Sequence, residues 1–260
     1  MQARQLPLNR GWAWLTEGVM LWRRNPGLAT FVTFFSVLIL LVVGSIPLFG
    51  EALAAIIMPA FTLSILNTFR HIDEGRKGTP DLLFSGFRRN LSALVTIGCI
   101  YLIGSLLTAH LAAIVDGGAL QRIVDSAAKE PSAVIDYGEV LFSMSIAMLF
   151  ALPVLLAYGF APVLAGWWDV PPVKAMFFSF VASLRNWRAF LTYSVALTVV
   201  VVFASMILAF LSLVSLEIAS LLTLVFIAAL IPVGFASYYV IARDIFSPSQ
   251  EVGLNYDDYA

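Results

Sequence analysis

Residues 26–50 form an unbroken run of 25 positions without a charged side chain. As a helix, a run of that length crosses a hydrocarbon core of roughly 30 Å. At that depth the backbone must satisfy its own amides, which a lone segment does only as a helix. The run is entered through Trp22-Arg23-Arg24-Asn25. Cations held on the inner side and an indole at headgroup level mark a cytoplasmic membrane boundary.

The pattern recurs along the chain. Apolar stretches predict six spans, at about 27–47, 52–69, 91–115, 140–168, 189–213 and 218–242. Composition agrees, with 60% of residues apolar and 12% charged, against about 25% charged in soluble domains. Residues 1–246 therefore read as one all-α, polytopic transmembrane domain and 247–260 as a polar cytoplasmic tail. The N-terminal MQARQLPLNRGWAW lacks the apolar core and cleavage site of a removable signal peptide, so the first span is expected to stay in place. The span at 140–168 is longer than one crossing needs, and Pro153 and Pro162 predict a kink in it.

Shorter amphipathic stretches precede the spans. Trp12, Leu15, Val19 and Trp22 recur at helical spacing with Glu17 and Arg24 on another face, which predicts a helix lying in the interface plane. Pro80–Phe87 predicts a short helix with Leu83, Phe84 and Phe87 on one side. Residues 169–185 place Val173, Phe177, Phe180, Val181 and Leu184 on a third such face. A further short helix is expected at Leu120–Lys129.

Thirteen of the 15 Lys and Arg residues fall in segments 1–26, 70–90, 166–188 and 243–260. Six spans put all four on one side, and the positive-inside rule makes that side cytoplasmic, with both termini. Trp22-Arg23-Arg24-Asn25, Phe87-Arg88-Arg89-Asn90 and Leu184-Arg185-Asn186-Trp187 share one form: each ends an amphipathic stretch and opens a pair of spans. Pro59 precedes Arg70, and Pro232 precedes Arg243, by eleven residues, each exit having an acid close behind, Asp73 and Asp244. The chain thus reads as three parallel copies of an interfacial helix plus a transmembrane hairpin.

The candidate site residues follow from this pattern. Asn25, Asn90 and Asn186 can cap the helices behind them, and Trp22, Arg23, Arg24, Arg88, Arg89 and Arg185 either anchor the boundary or hold anionic lipid headgroups. Glu51 and Glu217 stand at hairpin turns and His110 near the far end of the third span, as polar groups at or in the membrane. Small residues, Gly98 with Gly104 and Ser205 with Ala209, predict helix-packing surfaces. Prolines 59, 153, 162 and 232 all lie in the second helix of a hairpin, where kinks can open a groove between repeats. No catalytic, cofactor or metal site is expected: two histidines and one cysteine lie far apart, and no phosphate-binding, zinc-protease or nucleophile-elbow motif occurs. The scattered basic residues suit a membrane surface better than nucleic acid.

Gly11-Trp12-Ala13-Trp14, Arg23-Arg24-Asn25-Pro26, Pro80-Asp81-Leu82-Leu83-Phe84, Phe87-Arg88-Arg89-Asn90, Ala161-Pro162, Arg185-Asn186-Trp187 and Arg243-Asp244-Ile245-Phe246 resemble an uncharacterised family of proteobacterial inner-membrane proteins. More distantly the chain is similar to YciC-type inner-membrane proteins and to the membrane domain attached to some glycerophosphodiester phosphodiesterases. The resemblance implies a bacterial inner membrane and a link to envelope lipids, and it carries over no catalytic residue. Two functions are expected. One is a non-enzymatic scaffold or accessory component, with membrane lipids and a protein partner or second copy against its helices. The other is a lipid-handling protein or small-molecule transporter with proline-kinked helices around a groove.

Overall fold

The computed structural model describes residues 4–129 and 136–246, with the backbone alone at 127 and 128. The expected tail, 247–260, lies outside the described residues. The chain folds into ten α-helices and one 3-10 segment among the described residues: α1 Arg10–Arg24, α2 Pro26–Gly44, α3 Gly50–Asp73, the 3-10 segment Pro80–Arg88, α4 Leu91–Val115, α5 Ala119–Lys129, α6 Tyr137–Gly159, α7 Ala161–Trp168, α8 Pro172–Arg185, α9 Trp187–Ser212 and α10 Leu216–Phe246. Six stretches are long and apolar enough to cross a membrane: α2, α3, α4, α6 with α7, α9 and α10. The architecture is the all-α polytopic bundle that the apolar runs predict.

Local chemistry sets the breaks. Asn25 separates α1 from α2: its backbone leaves the helical region, its side chain accepts the Leu28 N–H at 3.2 Å, and Pro26 starts the next helix. The long fourth span continues as one helix through Pro153 and breaks at Phe160, between the two prolines expected to bend it. Pro162 is the cause, because it brings no N–H to the turn it enters. The freed groups find partners on other helices. Ser179 Oγ accepts the Phe160 N–H at 2.8 Å and donates to the Leu156 carbonyl at 2.7 Å, and the Tyr238 hydroxyl donates to the Gly159 carbonyl.

The three short elements bury some of their bulky residues and leave others exposed. In α1 the buried residues are Gly11, Trp14, Leu15, Gly18 and Leu21, while Trp12 and Met20 stay exposed. Glu17, expected on a face other than the apolar one, pairs with Arg10 and Arg243. In the 3-10 segment Leu82, Leu83 and Gly86 are buried and Phe84 is exposed. In α8 the buried set is Ala175, Met176, Ser179, Ala182 and Ser183, while of the expected face Val173, Phe177 and Leu184 are exposed and Phe180 and Val181 half-buried. Amphipathic spacing finds the side that avoids water. Next to lipid that side need not be the packed one, since close approach between helices is made by small residues.

These small faces close the molecule into a cycle. The 3-10 segment, which precedes the second hairpin, packs on α3 of the first. Helix α8, which precedes the third hairpin, packs on α6 of the second. Helix α1, which precedes the first, packs on α10 and α9 of the third. At the first of these contacts Ser64 Oγ accepts the Gly86 N–H at 2.9 Å. At the last, Gly18 lies directly against Ser237. Ser64 and Ser237 each follow a proline, Pro59 and Pro232, by five positions, so the repeat seen around the arginines extends to the packing contacts.

The core sits at the arginine-rich end, where α3, α7 and α10 bring together Leu63, Leu66, Phe69, Val163, Leu164, Val240 and Ile245. Away from it the hairpins splay. Only Ser143 of α6, and only Ala189 and Ala196 of α9, are buried.

Candidate functional site

The exits of α3, α7 and α10 converge at the arginine-rich end. Asp73 is the hub: Oδ1 accepts from Arg24 at 3.2 Å, and Oδ2 accepts from Arg243 at 2.8 Å and the Tyr239 hydroxyl at 3.0 Å. Arg243 also donates to Glu17 at 2.8 Å, and Glu17 pairs with Arg10 at 2.8 Å. Arg10 in turn forks onto Asp244, which accepts the Trp14 indole N–H at 3.0 Å. Partial burial works against the Arg10 charge, but the hydrogen bond and charge of Asp244, with those of Glu17, outweigh it and raise its pKa. The network ties the first helix of the chain to the last.

Beside the network lies a cavity of about 340 Å³ lined by Arg70, Asp73, Glu74, Trp167, Trp168, Tyr239 and Arg243. Arg70 donates through Nε to Glu74 at 3.0 Å, and its guanidinium lies 5.3 Å over the Trp167 ring. Trp167 is fixed by its own N–H, which donates to Asn67 at 2.8 Å. Glu74 also pairs with Arg76.

A second cavity, about 460 Å³ and almost wholly apolar, lies deeper between α3, α6, α9 and α10. Its walls flank the helix prolines: Met58 and Thr62 about Pro59, Leu155 to Phe160 after Pro153, and Phe235 and Tyr238 after Pro232. No proline lines the cavity itself. The break at Phe160 forms part of its wall, and the Tyr158 hydroxyl is buried there. Phe160, Phe246, Trp168, Trp167 and Tyr239 form successive ring contacts between the two cavities, with centroids 5.3–6.0 Å apart. A third hollow, about 490 Å³ and also apolar, opens between α1, α9 and α10 and is lined by Trp12, Leu15, Val19 and Trp22.

The Arg-Asn corners do not act alike. Asn25 caps α2 as expected. Asn90 sits in left-handed backbone (φ 47°) and does not cap α4; its amide donates to the Ala165 carbonyl at 3.0 Å. Asn186 is buried and likewise does not cap α9: it accepts the Leu6 N–H at 2.9 Å and donates to the Arg4 and Ala182 carbonyls at 3.0 and 2.9 Å. The arginines meet different acids, Arg24 with Asp73, Arg88 with Asp81 and Arg89 with Asp169 at 3.6 Å. Arg23 and Arg185 are exposed, and Trp22 donates to Thr30 at 3.2 Å. Glu51 and Glu217 are exposed in the first turns of α3 and α10, where the helix dipole favours an acid. His110 is exposed near the far end of α4, with Nδ1 2.8 Å from its own helix's Leu106 carbonyl. None of these three lines the cavities described above.

Sequence reasoning noted Arg70, Arg243, Asp73 and Asp244 as a repeated exit and assigned them no site. Their partners lie up to 234 residues away, and no local spacing encodes such pairs.

The chain is 34% identical over 201 residues to a probable inner membrane protein of Burkholderia thailandensis, covering 74% of this chain and 74% of that one. No family model matches the chain. No solved structure matches it.

Proposed function

This chain belongs to the inner-membrane protein family of its Burkholderia thailandensis relative, and we propose that within that membrane it is a non-enzymatic scaffold or accessory component of an assembly. In this reading the arginine-rich end faces the cytoplasm and the splayed hairpins take a partner from the side. The observation that carries it is on α9. Ser205 and Ala209, one turn apart, are exposed, and the same helix exposes Phe203, Met206 and Phe210 around them. By contrast the other small pair is used within the chain, Gly98 against the Ile56 backbone and Gly104 against Val154. A small-residue face left open in lipid suits a further helix, from a second copy or another protein.

Native mass spectrometry and in-membrane cross-linking test this. Ser205→Leu with Ala209→Leu should leave the monomer's thermal stability unchanged and abolish the cross-linked species. A cross-linking pattern indifferent to the pair would remove the scaffold reading.

A second reading is favoured by the apolar cavity of about 460 Å³. Its volume and lining suit a lipid chain. Thr62→Trp would fill it and should displace any co-purifying lipid.

A further inference from the structure

At the arginine-rich end the carboxylates are already committed. Asp73 is shared by Arg24, Arg243 and Tyr239, and Glu74 by Arg70 and Arg76. What the 340 Å³ cavity retains is donor capacity. Only Nε of Arg70 is hydrogen-bonded among the described residues, which leaves both terminal nitrogens of its guanidinium unused. The Trp168 indole N–H is likewise without a partner among the described residues, in the same wall. Beside the cavity two arginines, Arg70 and Arg76, share the single carboxylate of Glu74, so that group carries one positive charge in excess.

From this geometry we propose that the cavity binds a phosphate-bearing group, held by the Arg70 fork with Trp168 beside it. A guanidinium presents two parallel N–H donors, the geometry that a phosphate accepts in bidentate fashion. Stacking over Trp167 and the bond to Glu74 already hold Arg70 in place, which lowers the cost of ordering it on binding. The carbonyl ends of α3 and α7 carry partial negative charge, so recognition depends on directed donors more than on net field. The volume exceeds that of a bare phosphate and accommodates a small ester. Two sources share this chemistry, a phospholipid headgroup at the membrane boundary and a soluble phosphate ester. The inference is independent of whether α9 binds a partner.

The test uses the full chain in detergent micelles with two probes. Glycerol 3-phosphate is titrated calorimetrically, and phosphatidylglycerol is exchanged in from mixed micelles and counted by native mass spectrometry. Losing a charge-assisted hydrogen bond should cost roughly tenfold or more in affinity, so Arg70→Gln should weaken whichever probe binds by that factor. Trp168→Phe, which keeps the ring but not the N–H, should weaken it by less. Arg70→Lys keeps the charge without the fork; it should bind between wild type and Arg70→Gln, and it serves should the latter fail to fold. Binding of glycerol 3-phosphate lost in these variants supports a soluble ester, and binding of phosphatidylglycerol alone, lost in the same way, supports a headgroup. Failure of both probes, or undiminished binding by Arg70→Gln and Arg70→Lys, overturns the proposal.

Discussion

At the scale of single residues, three asparagines in the same sequence setting do three different things. Asn25 bonds three residues ahead, a contact that its own neighbourhood encodes, and Pro26 behind it makes the cap readable in advance. Asn90 and Asn186 bond across the fold, to Ala165 in one case and to Arg4 and Leu6 in the other. Nothing within a helical turn reveals those partners. The difference has a measurable consequence. Asn25→Ala should cost about 1 kcal/mol, the ordinary value of a cap. Asn186→Ala strips a buried site and leaves the Leu6 N–H and the Arg4 carbonyl unpaired, so it should cost about 1–3 kcal/mol for each stranded group. Urea or thermal unfolding in micelles ranks the two, and equal losses would contradict this account.

At the scale of elements, span positions were legible because lipid depth fixes length and excludes charge. Helix α4 begins and ends where the hydropathy pattern puts it, Leu91–Val115. The packed faces of the short helices were legible only in part, because spacing of large apolar residues finds the side that shuns water and does not separate residues that meet protein, such as Leu15 and Leu83, from those left exposed, such as Trp12 and Phe84. Glycine was the overlooked signal. A methyl group on Gly11 would stand 2.6 Å from the Tyr193 backbone nitrogen, one on Gly18 2.8 Å from the Ser237 nitrogen, and one on Gly86 2.9 Å from the Ser64 hydroxyl. A methyl on Gly27 would meet nothing within 4 Å. Gly18→Ala should therefore destabilise by about 1–3 kcal/mol through overpacking, and Gly27→Ala, also in a helix, should be neutral or stabilise by up to about 1 kcal/mol. Melting temperatures of the two variants, measured side by side, decide it.

At the scale of the whole molecule, the second helices of the hairpins were marked out by their four prolines, but the apolar cavity beside them is lined by other residues, such as Thr62, Tyr158 and Tyr238, that no sequence pattern singled out. The charged network was not legible either, because it joins residues from opposite ends of the chain. Orientation remains a matter of charge: the arginine-rich end should face the cytoplasm. With Cys99 replaced by serine, a cysteine introduced at Asp125 should react with a membrane-impermeant maleimide added to intact cells, and one at Gly75 should react only after lysis. The reverse pattern would invert the molecule and place the phosphate-binding cavity on the outer face.

Because Gly18 rests on Ser237, and Arg10 on Asp244, α1 has to wait after synthesis for α10. At about 5–20 residues per second, the delay before α10 emerges is on the order of ten seconds or more. Throughout that interval Gly18 and Arg10 lack their permanent neighbours. A product cut short anywhere before α10 could never close its circle, and the orphaned α1 would announce to the cell's proteases that the chain is unfinished.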